Sequence, residues 1–168
     1  MQQEAQLIIA GLRLESHPEG GYFRETYRSN EIIPEESLPV RFAGGCRSLS
    51  TAIYFLLAGE EYSALHRIKS DEIWHYHAGG TLVIHVLDTD GRYSCHKLGS
   101  NFREGASFQV IVRAGSWFGA SLDTPDSFVL AGCTVSPGFD FRDFEMANRA
   151  ELLRLYPEHG VIIERLTR

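Results

Sequence analysis

The chain contains 168 residues, of which 43% are hydrophobic and 23% are charged, and its formal net charge is −6. This length and composition are typical of one globular domain over residues 1–168 and exclude a disordered chain, a coiled coil and a collagen-like repeat. The negative net charge argues against nucleic-acid binding, because a phosphate backbone requires a basic surface.

The sequence shows no signal for export or membrane insertion. The apolar stretch Leu7–Ala10 follows no positively charged segment, so it does not resemble the core of a secretory signal. The longest apolar run, Ala52–Ala58, is far shorter than the roughly 20 residues of a membrane-spanning helix. Cys46, Cys95 and Cys133 are an odd number and lack C-x-x-C spacing, which disfavours disulfides and a thiolate zinc site. We therefore expect a cytoplasmic protein with no membrane partner.

The first part of the chain predicts a helix, a strand and a loop. Apolar residues at helical spacing indicate a short helix over 4–14. A turn at 16–21 contains a proline and two glycines, and residues 22–28 then alternate as a strand does. Residues 29–46 are polar, carry two prolines and a Gly–Gly pair, and are predicted to form a loop.

From Ser48 onward the sequence is rich in short strand-like runs. Asp90–Gly91 between two of these runs is a strong hairpin signal. Many short strands separated by turn residues favour a sandwich or a barrel. Helical spacing returns after Pro137–Gly138 and ends at Pro157, which predicts a C-terminal helix that covers the barrel. The predicted strands are 48–57, 62–67, 72–78, 81–88, 92–98, 107–113 and 126–136.

Five of the seven histidines lie in the middle of the chain, and the segment that follows the first of them alternates as a strand does. Strand periodicity places Glu72, Trp74 and Tyr76 on one face and His75 and His77 on the other. The periodicity leaves open which of the two faces lines the barrel.

His66 and Glu72 are the candidate catalytic residues. An imidazole and a carboxylate in a partly dry cavity can exchange protons near neutral pH. The same groups can also ligate a metal ion. For both residues, plain packing in the barrel is the alternative interpretation. A ligand pocket is predicted from neighbouring histidines and aromatic side chains, which supply the apolar walls of small-molecule sites: Trp74, His75, Tyr76, His77, Trp117 and Phe118.

The spacing of these residues resembles the first motif of the cupin superfamily, in which a His-x-His pair is followed by a glutamate and then by a glycine. His66 matches the first histidine, Glu72 the glutamate and Gly79 the glycine, whereas Ile68 stands where the second histidine belongs. In the region that resembles the second cupin motif, Phe118 stands in place of a histidine.

Three longer phrases, at 17–27, 70–75 and 137–145, are similar to the cupin_5 family, also called the DUF985 domain. The resemblance covers nearly the whole chain. It implies a mainly β double-stranded β-helix, the cupin jelly-roll barrel, with an N-terminal and a C-terminal helix, and it implies a homodimer. The family is uncharacterised, so the resemblance implies no particular activity.

A cupin metal site, as the resemblance implies it, uses three histidines and a glutamate, and only His66 and Glu72 of that set are present. Two protein ligands rarely hold a divalent metal. His75 or His77 could complete the set only if a bulge reversed the strand's parity. We therefore expect no metal ion and no other cofactor.

The sequence thus predicts a protein that binds a small, carbohydrate-like molecule in its barrel. Some metal-free cupins epimerise nucleotide-linked deoxysugars, which makes a metal-free isomerase or epimerase the first hypothesis. His66 would be the base, Glu72 would orient it or share its proton, and an aromatic hydroxyl such as that of Tyr76 would be the acid. The alternatives are a non-catalytic binding protein and a metal-dependent cupin oxygenase or isomerase.

Overall fold

A computed structural model describes residues 2–168 of the protein. The chain forms three α-helices, α1 (Gln2–Leu12), α2 (Arg149–Leu155) and α3 (Gly160–Arg165), within these residues. The strands in chain order are β1 (Glu15–Ser16), β2 (Tyr22–Arg28), β3 (Ile32–Ile33), β4 (Arg47–Ser48), β5 (Thr51–Ala58), β6 (Tyr62–Arg67), β7 (Asp71–Gly79), β8 (Leu82–Leu87), β9 (Tyr93–Leu98), β10 (Ala106–Ser107), β11 (Gln109–Val112), β12 (Trp117–Leu122), β13 (Phe128–Ser136) and β14 (Glu145–Met146).

Most strands belong to two six-stranded sheets. The first sheet has the order β1-β2-β5-β13-β7-β11 and the second has the order β10-β9-β8-β12-β6-β14. Every described pairing is antiparallel except the short one between β9 and β10. The predicted mainly β jelly-roll barrel is confirmed.

The core lies between the sheets because alternate strand residues point inward. In β7, Glu72 and Trp74 are buried. The alternating residues Ile73 and His75 are only half-buried. Trp74 belongs to the main apolar cluster, which contains side chains from both sheets. The predicted hairpin is also confirmed, since β8 and β9 pair across Asp90–Gly91.

Strand β12 was not predicted from the sequence. This strand lies between β8 and β6, and all six of its residues are buried. Burial on both faces removes the alternation by which a strand is recognised. Gly119 is needed there because a Cβ at this position would come within 2.6 Å of the Ser63 carbonyl oxygen on the neighbouring strand.

The C-terminal segment forms two short helices instead of the one that was predicted. Asn148 caps α2 by accepting a hydrogen bond from the backbone N–H of Glu151. The chain then makes a 3-10 turn at Pro157–His159 and continues as α3. Leu152 and Ile163 of these helices pack on the outer face of the second sheet. No helix within residues 2–168 is long and apolar enough to cross a membrane.

Candidate functional site

A cavity of about 310 Å³ lies inside the barrel. Its volume is near the lower end of the range for small-molecule pockets, which is roughly 300–1,000 Å³. The deep part is lined by the buried side chains of Glu19, His66, Glu72, Trp74 and Cys133. These groups form the candidate functional site.

Strands from both sheets bring the deep residues together. His66 lies near the end of β6 in the second sheet, and Glu72 lies near the start of β7 in the first sheet. The short loop between these strands therefore crosses from one sheet to the other. Cys133 of β13 pairs in register with Trp74, and both side chains line the cavity.

Glu19 reaches the cavity from the turn that precedes β2. Its Oε2 atom lies 3.2 Å from Nε2 of His66 and 3.3 Å from Nδ1 of His17. Its Oε1 atom accepts a hydrogen bond of 2.8 Å from the Ser63 hydroxyl. The backbone carbonyl of Glu19 also accepts from the N–H of Ala64, at 2.8 Å, which ties the turn to β6. One carboxyl group therefore lies between two imidazole rings.

The hydrogen bonds around Glu19 require a shared proton. Nδ1 of His66 lies 2.8 Å from the Ala64 carbonyl oxygen, and since a carbonyl only accepts, this nitrogen carries a hydrogen. Nε2 of the neutral His66 ring is then an acceptor that faces the Glu19 carboxyl. Nδ1 of His17 likewise accepts, at 3.3 Å, from the backbone N–H of Glu19. A proton on either Glu19 or Nε2 of His66 is needed to join the two groups.

Burial shifts the pKa values of these groups toward their neutral forms. It raises the pKa of Glu19 to about 7, although His17 and the Ser63 hydroxyl favour the ionised carboxylate. It also raises the pKa of Glu72 to about 7, against the effect of His66. Burial lowers the pKa of His66. Both carboxyl groups can therefore gain or lose a proton near neutral pH.

Of the two buried carboxyl groups in the cavity, Glu72 makes fewer contacts with protein groups than Glu19 does. The Cys133 thiol hydrogen-bonds to it and favours its ionised form. Burial raises the pKa of Cys133 well above its usual value, so the sulfur remains a protonated thiol. In contrast, both ring nitrogens of His66 already contact protein atoms. Glu72 is thus better placed than His66 to exchange a proton with a bound molecule.

Aromatic rings form much of the remaining wall of the cavity. Phe139, Phe141 and Phe144 contact one another at ring-centroid distances of 5.0–6.1 Å. Arg28 also lines the cavity, but it donates two hydrogen bonds, of 2.9 and 2.7 Å, to the carboxylate of Glu25. Its charge is therefore compensated by Glu25. The cavity presents mainly apolar side chains and neutral polar groups to a ligand.

The structure places four predicted site residues in or beside the cavity. His66, Glu72 and Trp74 line it directly. The ring of Phe118 packs against the ring of His66, with the centroids 4.1 Å apart. The indole Nε1–H of Trp74 is buried and has no hydrogen-bond partner within residues 2–168.

The other four predicted pocket residues do not line this cavity. His75 contacts the Thr134 hydroxyl with Nε2, at 3.1 Å, on the outer face of the sheet. The ring of His77 lies against Gly132 on that same face. Strand parity explains both positions, since Glu72 and Trp74 point inward.

Tyr76 and Trp117 also lie outside the lining of this cavity. Tyr76 donates its hydroxyl to the carbonyl oxygen of Gly79, at 2.6 Å, and this hydroxyl is outside the cavity lining. Trp117 packs in the apolar cluster beneath the C-terminal helices. The guanidinium of Arg67 lies 4.3 Å from the centre of its ring.

Sequence reasoning missed His17, Glu19 and Cys133. His17 and Glu19 fall in a predicted turn, and the burial of a turn is not visible in strand or helix periodicity. Their signal was the His-Pro-Glu-Gly-Gly phrase itself, which places two ionisable side chains beside a tight turn. Cys133 lies in an apolar strand-like run, and this pattern favours packing as a small hydrophobic side chain over a functional role.

The residues present do not fit the three-histidine-and-glutamate metal site of cupins. Ile68 occupies the position of one histidine and lines the cavity with an apolar side chain. Phe118 occupies the position of another and packs on His66. Within residues 2–168, no group of three His, Cys, Asp or Glu side chains is arranged to hold a metal ion. A register shift does occur between β7 and β13, but it brings neither His75 nor His77 into the cavity.

Comparison with known proteins assigns the family. The family model described as "Cupin superfamily (DUF985)" matches residues 6–147. The chain belongs to this family. A curated relative, an uncharacterised protein of Saccharomyces cerevisiae named YML079W, is 33% identical over 147 residues, which are 82% of this chain and 72% of the yeast protein.

Two solved structures of similar sequence carry no assigned activity in their names. Protein SO0799 from Shewanella oneidensis is 38% identical, with a TM-score of 0.83 and coverage of 96% of this chain and 95% of its own. A hypothetical protein from Leishmania major is also 38% identical, with a TM-score of 0.84 and coverage of 97% and 98%.

A more distant match shows the fold alone. Oxalate decarboxylase from Lactobacillus farciminis, solved as a formate complex, is 17% identical with a TM-score of 0.54. The match covers 91% of this chain and 41% of that protein. This DUF985 protein therefore shares the cupin barrel with an enzyme.

Proposed function

We propose that this DUF985 protein is a metal-independent isomerase or epimerase that moves a proton on a small, uncharged, carbohydrate-like molecule in its barrel. The observation that carries this proposal is the pair of buried carboxyl groups, Glu19 and Glu72, whose pKa values are both raised to about 7. General acid–base catalysis is most efficient when the pKa of the catalytic group lies near the working pH.

Glu72 is the proposed catalytic base. Its carboxylate removes a proton from a carbon next to a carbonyl group, and the C–H electron pair forms a carbon–carbon double bond. The carbonyl oxygen then takes the proton that is shared by Glu19 and His66. Return of the two protons, with delivery to the other face of the carbon or to the neighbouring carbon, gives an epimer or an isomer. His66 in this scheme holds a proton with Glu19 instead of acting as the sole base.

The lining of the cavity supports an uncharged ligand. Aromatic rings such as Phe139 and Phe141 can cover the apolar faces of a sugar. Arg28 is paired with Glu25, so an anionic group gains little from it. A cavity of about 310 Å³ also suits a molecule of monosaccharide size better than one with a nucleotide attached.

Exchange of carbon-bound hydrogen tests this proposal. Purified protein is incubated in D₂O with a panel of neutral aldoses and ketoses, and deuterium incorporation next to the carbonyl carbon is followed by ¹H NMR. We expect incorporation with the wild type and none with Glu72→Gln. Glu61→Gln is the matched control, because Glu61 is another partly desolvated glutamate that lies outside the barrel cavity.

Two further outcomes separate the alternatives. Saturable binding of a sugar without incorporation by the wild type would contradict catalysis and favour a non-catalytic binding protein. A rate that is lost on chelation and restored by a metal ion would favour the metal-dependent alternative. We expect the rate to be unchanged by a chelator.

A further inference from the structure

A second pocket, of about 460 Å³, lies beside the barrel cavity and shares the side chains of Ile68 and Phe144 with it. This basic pocket contains four cationic and two anionic side chains. It therefore has a formal charge of +2 in a protein whose net charge is −6. The charged residues are Arg41, Arg67, Lys69, Arg142, Asp143 and Glu145.

The cationic side chains of the basic pocket are held in place. Arg67 is 2.7 Å from the Glu145 carboxylate and lies over the ring of Trp117. Arg41 donates from Nε to the Lys69 carbonyl oxygen, at 2.8 Å, and its guanidinium is 4.9 Å from the centre of the Phe42 ring. Side chains that are already ordered lose less conformational entropy when a ligand binds.

Several donors in the basic pocket remain available for a ligand. The two terminal nitrogens of Arg41 donate no hydrogen bond within residues 2–168. Lys69 contacts Asp143 at 3.2 Å, but both oxygens of this carboxylate already accept from the buried Arg47, at 2.6 and 2.7 Å. Asp143 therefore compensates Lys69 only in part.

We propose that the basic pocket binds a phosphate group. The available N–H donors belong to Arg41, in a 3-10 turn, and to Lys69, in the loop after β6, so they approach from different directions. A phosphate can accept from several such donors at once, whereas a carboxylate is best matched by one planar guanidinium. Arg142 is paired with Asp140, at 2.7 Å, so the positive charge that is available to an anion comes mainly from Arg41 and Lys69.

A titration with inorganic phosphate tests the proposal. The amide N–H signals of residues 114 and 115, which line the basic pocket, are followed by ¹H–¹⁵N NMR at constant ionic strength. We expect saturable shifts with the wild type. The double variant Arg41→Gln/Lys69→Gln should bind at least about tenfold more weakly, because each charge-assisted hydrogen bond contributes more than a neutral one.

The matched control is Arg92→Gln/Lys97→Gln, which removes the same charge outside the lining of the basic pocket. It should leave phosphate affinity within about twofold, since these charges are screened by solvent and salt. Equal weakening in both double variants, or unsaturable shifts with the wild type, would overturn the proposal.

Two additions make the experiment decisive. Lys69→Gln alone keeps the hydrogen bond from Arg41 to the Lys69 backbone, so it reports on the charge if the double variant is unstable. A parallel titration with glycerol phosphate identifies the source of the group. Tighter binding of the ester would support a phosphorylated small molecule, and equal affinity would support inorganic phosphate.

Discussion

Two buried histidines of the second sheet differ in the groups that their ring nitrogens contact. His66 points into the barrel, where the carboxyl of Glu19 lies 3.2 Å from its Nε2. His85 lies on β8, and its two ring nitrogens contact the hydroxyls of Tyr93 and Ser121, at 2.8 and 3.2 Å. Both rings are more than 90% buried. The difference between them is therefore the partner and not the degree of burial.

The partner decides whether a buried imidazole can take part in proton transfer. Burial, together with the charge of Arg165, lowers the pKa of His85 to about 4, so the ring stays neutral at physiological pH. Hydroxyl partners have no proton to exchange near pH 7. His66 instead shares a proton with a carboxyl whose pKa is about 7. The proposed function therefore includes His66 in the acid–base site, and it gives His85 a structural role only.

The largest expected effect follows from removing the proposed base. Glu72→Gln should reduce the rate of deuterium incorporation by about 10³-fold, because general base catalysis typically contributes 10²–10⁴-fold. The fold should be kept, since glutamine has nearly the same shape and the barrel core is unchanged. The rate is measured with purified variants whose unfolding transitions match that of the wild type. A rate for Glu72→Gln within a few-fold of the Glu61→Gln control would contradict the assigned role.

The pH dependence of stability gives the next largest effect. The pKa of Glu72 is 4.5 in the unfolded chain and about 7 in the folded protein. Between these values the folded state binds more protons, so the free energy of unfolding falls as the pH rises from about 4.5 to about 7. Glu72→Gln should remove this part of the decline, which is about 1–3 kcal/mol.

Urea denaturation at pH 5 and pH 8 measures this effect. The stability of Glu72→Gln relative to the wild type should increase from pH 5 to pH 8. An equal change in the free energy of unfolding of both proteins between pH 5 and pH 8 would show that the folded Glu72 is already ionised at pH 5.

His85→Gln is a useful comparison, because a lowered histidine pKa changes stability in the opposite direction. The lowered pKa of His85 reduces the free energy of unfolding of the wild type as the pH falls below about 6.5.

A smaller effect distinguishes the two histidines directly. His66→Gln should lower the exchange rate by about 10²-fold, because it removes the group that shares a proton with Glu19. His85→Gln should lower stability without changing the rate per folded molecule, because this ring is outside the cavity lining. Equal loss of activity in both variants would indicate that burial of the imidazole, rather than its partner, is what matters.

The smallest expected effect concerns the Cys133 thiol. This group hydrogen-bonds to Glu72 and favours its ionised form. Cys133→Ala should therefore raise the pKa of Glu72. The acidic limb of the pH–rate profile should then shift to higher pH by less than about one pH unit. Cys95→Ala, at an exposed thiol, should leave the profile unchanged. A shift of the acidic limb to lower pH in Cys133→Ala would contradict the proposed hydrogen bond.

Sequence patterns predicted the fold well wherever one face of a strand is exposed. The alternation of β2 and the turn at Asp90–Gly91 both led to the correct elements. β12 was missed because burial of both its faces removes the periodicity. The end of the C-terminal helix before Pro157 was predicted, but α3 was missed, since proline ends one helix without indicating that another follows.

The site could be predicted only in part, for a related reason. Strand spacing and the cupin resemblance identified His66 and Glu72, which the structure places in the same cavity. Periodicity treated the two faces of β7 as equivalent, so His75 and His77 were included although they point outward. Glu19 enters the cavity because the turn that carries it hydrogen-bonds to Ala64, and this tertiary contact has no signature in local sequence.

The protonation of Glu72 in the ligand-free protein is the most direct test of the proposed acid–base site. A ¹³C NMR titration of glutamate carboxyl groups reports it, with the resonance assigned by its disappearance in Glu72→Gln. We expect this resonance to titrate near pH 7, because burial favours the neutral form of the carboxyl. A midpoint near 4.5, the ordinary value for glutamate, would show that the carboxyl is ionised at neutral pH and would contradict the proposed acid–base site.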